Sequence, residues 1–203
     1  MSSYAGVEII SKNPDLVGEN PLWHPEDSKV YWTDNRSLRL YAFNTETRAK
    51  ETILDGYRVY GFTLQENGSL LLFMEGTRIG LLEHGSVREV LSGIPDEPHN
   101  RFNDVIAEPA GSVLFGTVPL GKGSGSLYRI HTNLHLDRLL TGLGLPNGMG
   151  FSPDNQSFFL VDTHGASVDR FDYSAQKGAL SNRTPFLRFD GEPIHPDGMT
   201  VDS

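Results

Sequence analysis

The amino-acid sequence predicts an all-β fold, a β-propeller built from four-stranded blades, and three observations support this prediction. First, short apolar runs separated by turn residues recur along the whole chain of 203 residues. Second, no window shows a helical stripe longer than a turn or two, and glycine and proline are spread evenly. Third, similar segments return every 40 to 50 residues, which is the period of propeller blades.

Five landmark positions define the repeat, because each of them ends a segment of similar sequence. The landmarks are Pro25, Gln65, Pro109, Pro153 and Ser203. Six places before its landmark, four of the five segments begin with an oxygen-bearing side chain, at Glu19, Asn103, Asn147 and Asp197. The segment that begins at Val59 lacks this polar residue. If the repeats surround an axis, the four oxygens converge near it, and such a cluster is typical of a cation site.

The blade strands follow from the repeat. The innermost strand of each blade is predicted between the oxygen residue and its landmark, where residues 105–107 and 149–151 are apolar and slim enough for a crowded axis. Turn residues follow each landmark and lead into a hairpin. Second strands are predicted at 29–34, 69–73, 112–115 and 157–161, third strands at 38–43, 77–82, 126–130 and 167–173, and fourth strands at 50–54, 87–91, 136–140 and 184–188.

Four complete units and the opening of a fifth cannot close a ring. An unclosed propeller leaves long strand edges exposed, which favours aggregation. We therefore expect residues 1–203 to form a single β-propeller domain that is incomplete at its C-terminus, as a truncated part of a longer chain. Closure by another molecule is the alternative.

Composition limits the classes of partner and chemistry. The net charge of −9 disfavours nucleic acid and anionic membrane surfaces and favours cations as small partners. The absence of cysteine excludes disulfides, thiolate metal sites and cysteine nucleophiles. The start has neither the basic nor the apolar region of a signal peptide, and the longest apolar run is too short to span a bilayer. These features predict a soluble, cytoplasmic protein, and its oligomeric state stays open.

Five stretches resemble, in the same order, the family of senescence marker protein (regucalcin), gluconolactonase and luciferin-regenerating enzyme. They are residues 18–23 with 30–34, 101–104 with 115–117, 145–154, 170–173 with 178–182, and 196–199. One such stretch is a weak signal, whereas five in register are specific. The resemblance implies a six-bladed β-propeller with a divalent cation in its axial channel, of which this chain contains about four blades and the start of a fifth.

The resemblance also implies roles for individual residues. The family's metal ligands correspond to Glu19, Asn147 and Asp197, and its substrate-binding residues to Arg101 and Asn103. Asp197 also corresponds to the proposed general base, which makes it the implied catalytic residue. Members with known activity are mostly lactonases acting on sugar lactones, and a few relatives hydrolyse organophosphates. A small lactone is therefore the expected substrate.

Two features depart from the family pattern. Asn20 replaces the glycine that is common after the motif glutamate, which is a mild change. The loop at 118–125 is rich in glycine and carries Lys122 but no acidic residue. The second departure leaves the identity of the substrate pocket open.

The oxygen cluster has a chemistry of its own. Carboxylate and amide oxygens suit hard cations, so Ca²⁺ is the first expectation, with Mg²⁺ or Mn²⁺ next and Zn²⁺ allowed by the resemblance. Such a cation can polarise a lactone carbonyl while a carboxylate takes a proton from water. The sequence thus predicts a divalent-metal-dependent lactonase. A non-enzymatic calcium-binding propeller, an interaction scaffold and a phosphotriester hydrolase on the same scaffold remain alternatives.

Simpler interpretations exist for several of these residues. Residues 147–148 and 197–198 are also turn signals, because Asn and Asp stabilise turns, but Glu19 is not a turn former and favours the metal site. Asp104 is either a carboxylate that orients the ligands or a turn residue. His99 and His195 lie close to motif residues and either line the pocket mouth or are ordinary loop histidines.

Overall fold

The computed structural model describes residues 8–11, 14–189, 191 and 193–202, so the landmark Ser203 lies outside the described residues. The described part contains sixteen strands and one short 3₁₀ turn, Glu75–Thr77, which confirms the all-β prediction. It contains no helix long and apolar enough to cross a membrane. The strands are β1 (Gly18–His24), β2 (Lys29–Asp34), β3 (Arg39–Asn44), β4 (Lys50–Asp55), β5 (Val59–Leu64), β6 (Leu70–Met74), β7 (Arg78–Glu83), β8 (Ser86–Leu91), β9 (Asn100–Ala107), β10 (Val113–Pro119), β11 (Gly125–Ile130), β12 (Leu136–Leu143), β13 (Pro146–Phe151), β14 (Ser157–Asp162), β15 (Ser167–Ser174) and β16 (Ala179–Arg188).

The strands form four sheets of four sequential strands each. We call them blade 1 (β1–β4), blade 2 (β5–β8), blade 3 (β9–β12) and blade 4 (β13–β16). The four predicted blades are confirmed, and most predicted strand boundaries agree within a few residues. The fourth strand of blade 4 is longer than predicted, because β16 begins at Ala179 rather than at residue 184.

The chain divides into two compact units, Met1–Val59 and Tyr60–Ser203. The first unit contains blade 1, and the second contains blades 2 to 4 except Val59, the first residue of β5. That residues 1–203 form a single domain stays a prediction. The structure differs from the sequence-based expectation after β16, since the described residues 193–202 form no strand. One backbone hydrogen bond, from Gly148 N to Asp197 O, joins this segment to β13, and a single bond is too little to define a strand pair.

Two apolar clusters fill the second unit. The cluster between blades 2 and 3 consists of Leu71, Phe73, Ile79, Ile94, Phe102, Val105, Val113, Phe115, Tyr128 and Ile130. The cluster between blades 3 and 4 consists of Leu114, Leu127, Leu143, Met149, Phe158, Leu160, Phe171 and Tyr173. In the first cluster the rings of Phe73, Phe102 and Phe115 lie with centroids 5.2 Å apart, a favourable aromatic distance. Val113 and Phe115 of β10 belong to the first cluster and Leu114 to the second, so the first half of this strand is apolar on both faces.

A buried ion pair joins two strands of blade 3. The Glu108 carboxylate, just after β9, accepts hydrogen bonds from Nε and Nη2 of Arg129 in β11, at 2.6 and 2.7 Å. The side chains are 0% and 7% exposed, respectively. Such a pair has lost its water, so each charge depends on the other.

A buried carboxylate at the end of β2 anchors the entry to blade 1. Asp34 accepts hydrogen bonds from the backbone N–H groups of Leu16, Val17 and Ser37, at 2.8, 3.1 and 3.2 Å. Burial acts to raise the pKa of Asp34, but the hydrogen bonds from Ser37, Leu16 and Val17 outweigh it and lower the pKa to about 2. The carboxylate is therefore charged at neutral pH and holds the backbone immediately before β1.

Blade 4 contains an equivalent aspartate that accepts backbone hydrogen bonds. Asp162, at the end of β14, accepts hydrogen bonds from the N–H groups of Gly144, Leu145 and Gly165, at 2.9, 2.8 and 3.2 Å. In both blades the aspartate ends the second strand and binds the residues that lead into the innermost strand. The backbone is thereby fixed directly before the two predicted ligand positions of these strands.

Candidate functional site

The inner strands of blades 3 and 4 carry β-bulges at the predicted site positions. Residues 103–104 of β9 lie opposite the single residue Gly116 of β10. Residues 147–148 of β13 likewise lie opposite the single residue Val161 of β14. A bulge breaks the alternation of the strand and redirects a side chain, and bulges are frequent beside active sites. Asn103 and Asn147 are each the first residue of their bulge.

Blade 1 has a related irregularity directly after Glu19. Asn20 and Pro21 of β1 lie opposite the single residue Trp32 of β2. Asn20 has φ of 54°, in the left-handed region that glycine adopts most easily. This conformation explains why glycine is common at this position in the family and why Asn, which also tolerates it, can replace glycine here.

The Asn103 side chain links the inner strands of blades 3 and 4. Its Nδ2 donates to Pro146 O at 3.0 Å, and its Oδ1 accepts from Nη1 of Arg101 at 2.8 Å. The same Nη1 donates to Phe102 O at 2.8 Å. The Arg101 guanidinium lies over the Tyr60 ring, 5.4 Å from its centroid. Both ends of the Asn103 amide are bonded, so its orientation is fixed by obligate donors and acceptors.

The Asn147 side chain is connected to the segment that carries Asp197. Asn147 is 5% exposed, and its Nδ2 donates to Thr163 Oγ1 at 3.0 Å. Thr163 Oγ1 in turn donates to Pro196 O at 2.6 Å. The backbone bond from Gly148 N to Asp197 O, at 3.2 Å, joins the same two segments. The Asp197 side chain itself is exposed.

A close backbone approach explains the glycine after Asn147. A Cβ at Gly148 would lie 2.5 Å from Met199 N and 2.6 Å from Asp197 O. Real Cβ atoms do not approach backbone atoms this closely, so any side chain here displaces the segment. The Asn-Gly pair therefore does more than form a turn, because it lets the Asp197 segment lie against β13.

Glu19 lies in the other compact unit. Its hydrogen bond with Asn35 has a counterpart in blade 4. Its exposed carboxylate accepts a hydrogen bond from Asn35 Nδ2 at 2.5 Å. Asn35 directly follows the anchoring residue Asp34, as Thr163 directly follows Asp162. In both blade 1 and blade 4, the polar residue after the anchoring aspartate forms a hydrogen bond with that blade's predicted metal ligand. Neither Asn35 nor Thr163 was predicted from sequence, although both directly follow the aspartate that ends the second strand of their repeat.

Within the second unit the structure thus brings together Arg101, Asn103, Asn147 and the Asp197 segment. In the described part of the chain, no group of three or more His, Cys, Asp or Glu side chains is placed to hold a metal ion. The predicted ligand set is of a different kind, since it combines two carboxylates with an amide oxygen. An all-oxygen set of this composition fits a hard cation such as Ca²⁺.

The remaining candidates contribute less. His99 is exposed, and its backbone carbonyl accepts a hydrogen bond from Leu120 N at 3.1 Å. His195 is also exposed. Asp104 is half-buried in the bulge of β9.

Comparisons with known proteins agree with this architecture. Residues 17–203 match the family described as SMP-30/Gluconolactonase/LRE-like region. Pentonolactonase XacC of Haloferax volcanii is 42% identical over 187 residues, which are 92% of this chain and 64% of the relative. Regucalcin of Danio rerio is 27% identical over 203 residues, covering 97% of this chain and 68% of the relative. The solved structure of a regucalcin from Agrobacterium tumefaciens, described as a calcium-binding protein, matches with a TM-score of 0.85 at 23% identity. The match covers 96% of this chain and 67% of the regucalcin chain. The chain therefore spans about two thirds of the length of these proteins.

Proposed function

Because the chain belongs to the SMP-30/gluconolactonase/LRE-like family, we propose that this protein is a divalent-metal-dependent hydrolase that opens a sugar lactone to its hydroxy acid. The relative at 42% identity is named a pentonolactonase, which supports a lactone as the substrate class. The observation that supports the proposal most is the hydrogen-bonded grouping of Asn103, Asn147 and the Asp197 segment at bulged strands. The compartment, expected above to be the cytoplasm, stays a prediction.

Arg101 and Asn103 bind the substrate in this proposal. Within the described residues, Nε and Nη2 of Arg101 donate no hydrogen bond, so both can donate to hydroxyl or carbonyl oxygens of a lactone. Nη1 is already committed to Asn103 and to the backbone. Because Asn103 and the Tyr60 ring hold the guanidinium in place, Arg101 presents these donors with little loss of conformational freedom.

Glu19, Asn147 and Asp197 hold the divalent cation in this proposal. Ca²⁺ is the first choice for the all-oxygen set, and Zn²⁺, Mg²⁺ or Mn²⁺ are the alternatives. When bound, the cation supplies Lewis acidity that polarises the lactone carbonyl. The fixed orientation of the Asn147 amide and the exposure of the Asp197 carboxylate support this assignment.

Asp197 acts as the general base. Its carboxylate takes a proton from a water molecule as the water oxygen forms a bond to the lactone carbonyl carbon. The ring C–O bond then breaks, and the ring oxygen leaves as a hydroxyl after receiving that proton. The product is the open hydroxy acid, and Asp197 returns to its charged form. An exposed carboxylate suits this role because water reaches it freely.

A pH-indicator assay of lactone opening tests the proposal. We expect the purified protein to open at least one lactone from a panel of aldonolactones that includes pentonolactones. Because the cation supplies the Lewis acid, activity should disappear after treatment with a chelator and return when Ca²⁺, or one of the three alternative cations, is added back. Absence of any metal-dependent rate over the whole panel contradicts the lactonase and favours a non-enzymatic calcium-binding propeller. A phosphotriester in the same panel tests the remaining hydrolase alternative.

A further inference from the structure

The hydroxyl of Thr163 connects the strand that carries Asn147 to the segment that carries Asp197. Thr163 is the first residue after β14 and is 8% exposed. Its Oγ1 lies 3.0 Å from Asn147 Nδ2 and 2.6 Å from Pro196 O. Its backbone N donates to Leu145 O at 3.0 Å, which fixes Thr163 against the start of β13.

The polarity of these bonds determines which end of the Asn147 amide faces Thr163. A threonine hydroxyl has one hydrogen to donate. The Pro196 carbonyl can only accept, so this hydrogen goes to Pro196 O. Thr163 Oγ1 can then only accept from Asn147, and the amide must turn its NH₂ group toward Thr163. The carbonyl oxygen Oδ1 of Asn147 consequently points to the opposite side, where it can serve as a ligand.

We propose that Thr163 is a positioning residue that sets Asn147 with Oδ1 available to a cation and ties the Asp197 segment to the same strand. This inference rests on the proposed function, because it gives the Asn147 oxygen a role in metal binding. Inverting the amide brings two acceptor oxygens face to face at a buried position, which is unfavourable. Residues that orient metal ligands in this way tune metal affinity without touching the metal.

Blade 1 contains a parallel arrangement. Asn35, at the position equivalent to Thr163, donates to the carboxylate of Glu19. Both residues directly follow the buried aspartate that anchors the entry to their inner strand. One position of the repeat therefore holds the proposed metal ligand of its own blade in two separate blades. This recurrence is not expected if the Thr163 hydroxyl serves only local packing.

The test compares Thr163→Val, which keeps the shape and removes the hydroxyl, with Thr163→Ser, which keeps the hydroxyl. Calcium affinity is measured by isothermal titration calorimetry on the full chain, and kcat and KM for the lactone are measured in parallel. Because the Asn147 amide loses its orientation, we expect Thr163→Val to weaken Ca²⁺ binding by about 10- to 100-fold. Thr163→Ser should remain close to the unsubstituted protein in both measurements.

Circular dichroism and thermal unfolding without metal separate this role from a structural one. If Thr163→Val does not fold, Thr163→Ala takes its place with the same expectation. The inference is overturned if a folded hydroxyl-free variant binds Ca²⁺ as tightly as the unsubstituted protein, or if both such variants unfold while Thr163→Ser folds. If the unsubstituted protein opens lactones and binds Ca²⁺, those outcomes leave the proposed function standing. An unsubstituted protein that does neither overturns both.

Discussion

Asp197→Asn is expected to lower kcat/KM for lactone opening by at least the 10²- to 10⁴-fold that is typical of a lost general base. The asparagine cannot take the proton of the attacking water, and it weakens the proposed metal site by removing a charge. The fold should survive, because the Asp197 side chain is exposed and the segment is bound through backbone atoms, by Gly148 N to Asp197 O and by Thr163 to Pro196 O. Steady-state kinetics and circular dichroism measure the two effects.

Asp55→Asn is the matched control for this charge change. The Asp55 side chain is 65% exposed at the end of β4 and pairs only at the surface with Arg39, a kind of contact worth little. Activity of the control should equal that of the unsubstituted protein. If Asp197→Asn keeps more than a tenth of the activity, Asp197 is not the general base.

Of the substitutions considered, Arg129→Met is expected to lower the free energy of unfolding the most. The substitution leaves the Glu108 carboxylate, which is fully buried, without the guanidinium that donates two hydrogen bonds to it. Breaking one side of a buried pair costs about 3–5 kcal/mol, a large share of the free energy of unfolding of a domain. Urea denaturation followed by circular dichroism gives this free energy.

Two further variants make the stability measurement specific. The double variant Arg129→Met with Glu108→Leu removes both charges and should recover most of the loss, because no unpaired charge remains. Arg39→Met removes an exposed arginine and should leave the free energy of unfolding nearly unchanged. A loss below about 1 kcal/mol for Arg129→Met alone contradicts the buried-pair interpretation.

The blades could be predicted from sequence because their signals are local. Apolar runs between turn residues locate the hairpins, and the repeat period locates the inner strands. The agreement is complete for β2, predicted at 29–34 and observed at Lys29–Asp34. The same reasoning failed after β16, where the repeat predicted an inner strand from Asp197 and the described residues form none. Repeat spacing predicts a position along the chain, whereas a strand also requires a hydrogen-bonded neighbour.

The details of the site depend on contacts that no local pattern contains. The bulges at residues 103–104 and 147–148 are properties of strand pairing, since they exist only relative to Gly116 and Val161. In the sequence alone, Thr163 is an ordinary turn residue. Its role becomes visible only in the folded chain, where its hydroxyl donates to Pro196 O. The motif residues themselves could be named in advance, because repeat position and family resemblance both point to them.

In the proposed metal site, oxygens of Glu19, Asn147 and Asp197 bind one divalent cation. Crystals grown with Ca²⁺, or with Mn²⁺ as a stronger anomalous scatterer, test it most directly. We predict one anomalous peak that lies within about 2.3–2.6 Å of a side-chain oxygen of each of the three residues when Ca²⁺ is bound. An ion bound elsewhere, or carboxylates of Glu19 and Asp197 too far apart to reach the same ion, would show that these residues do not form one metal site.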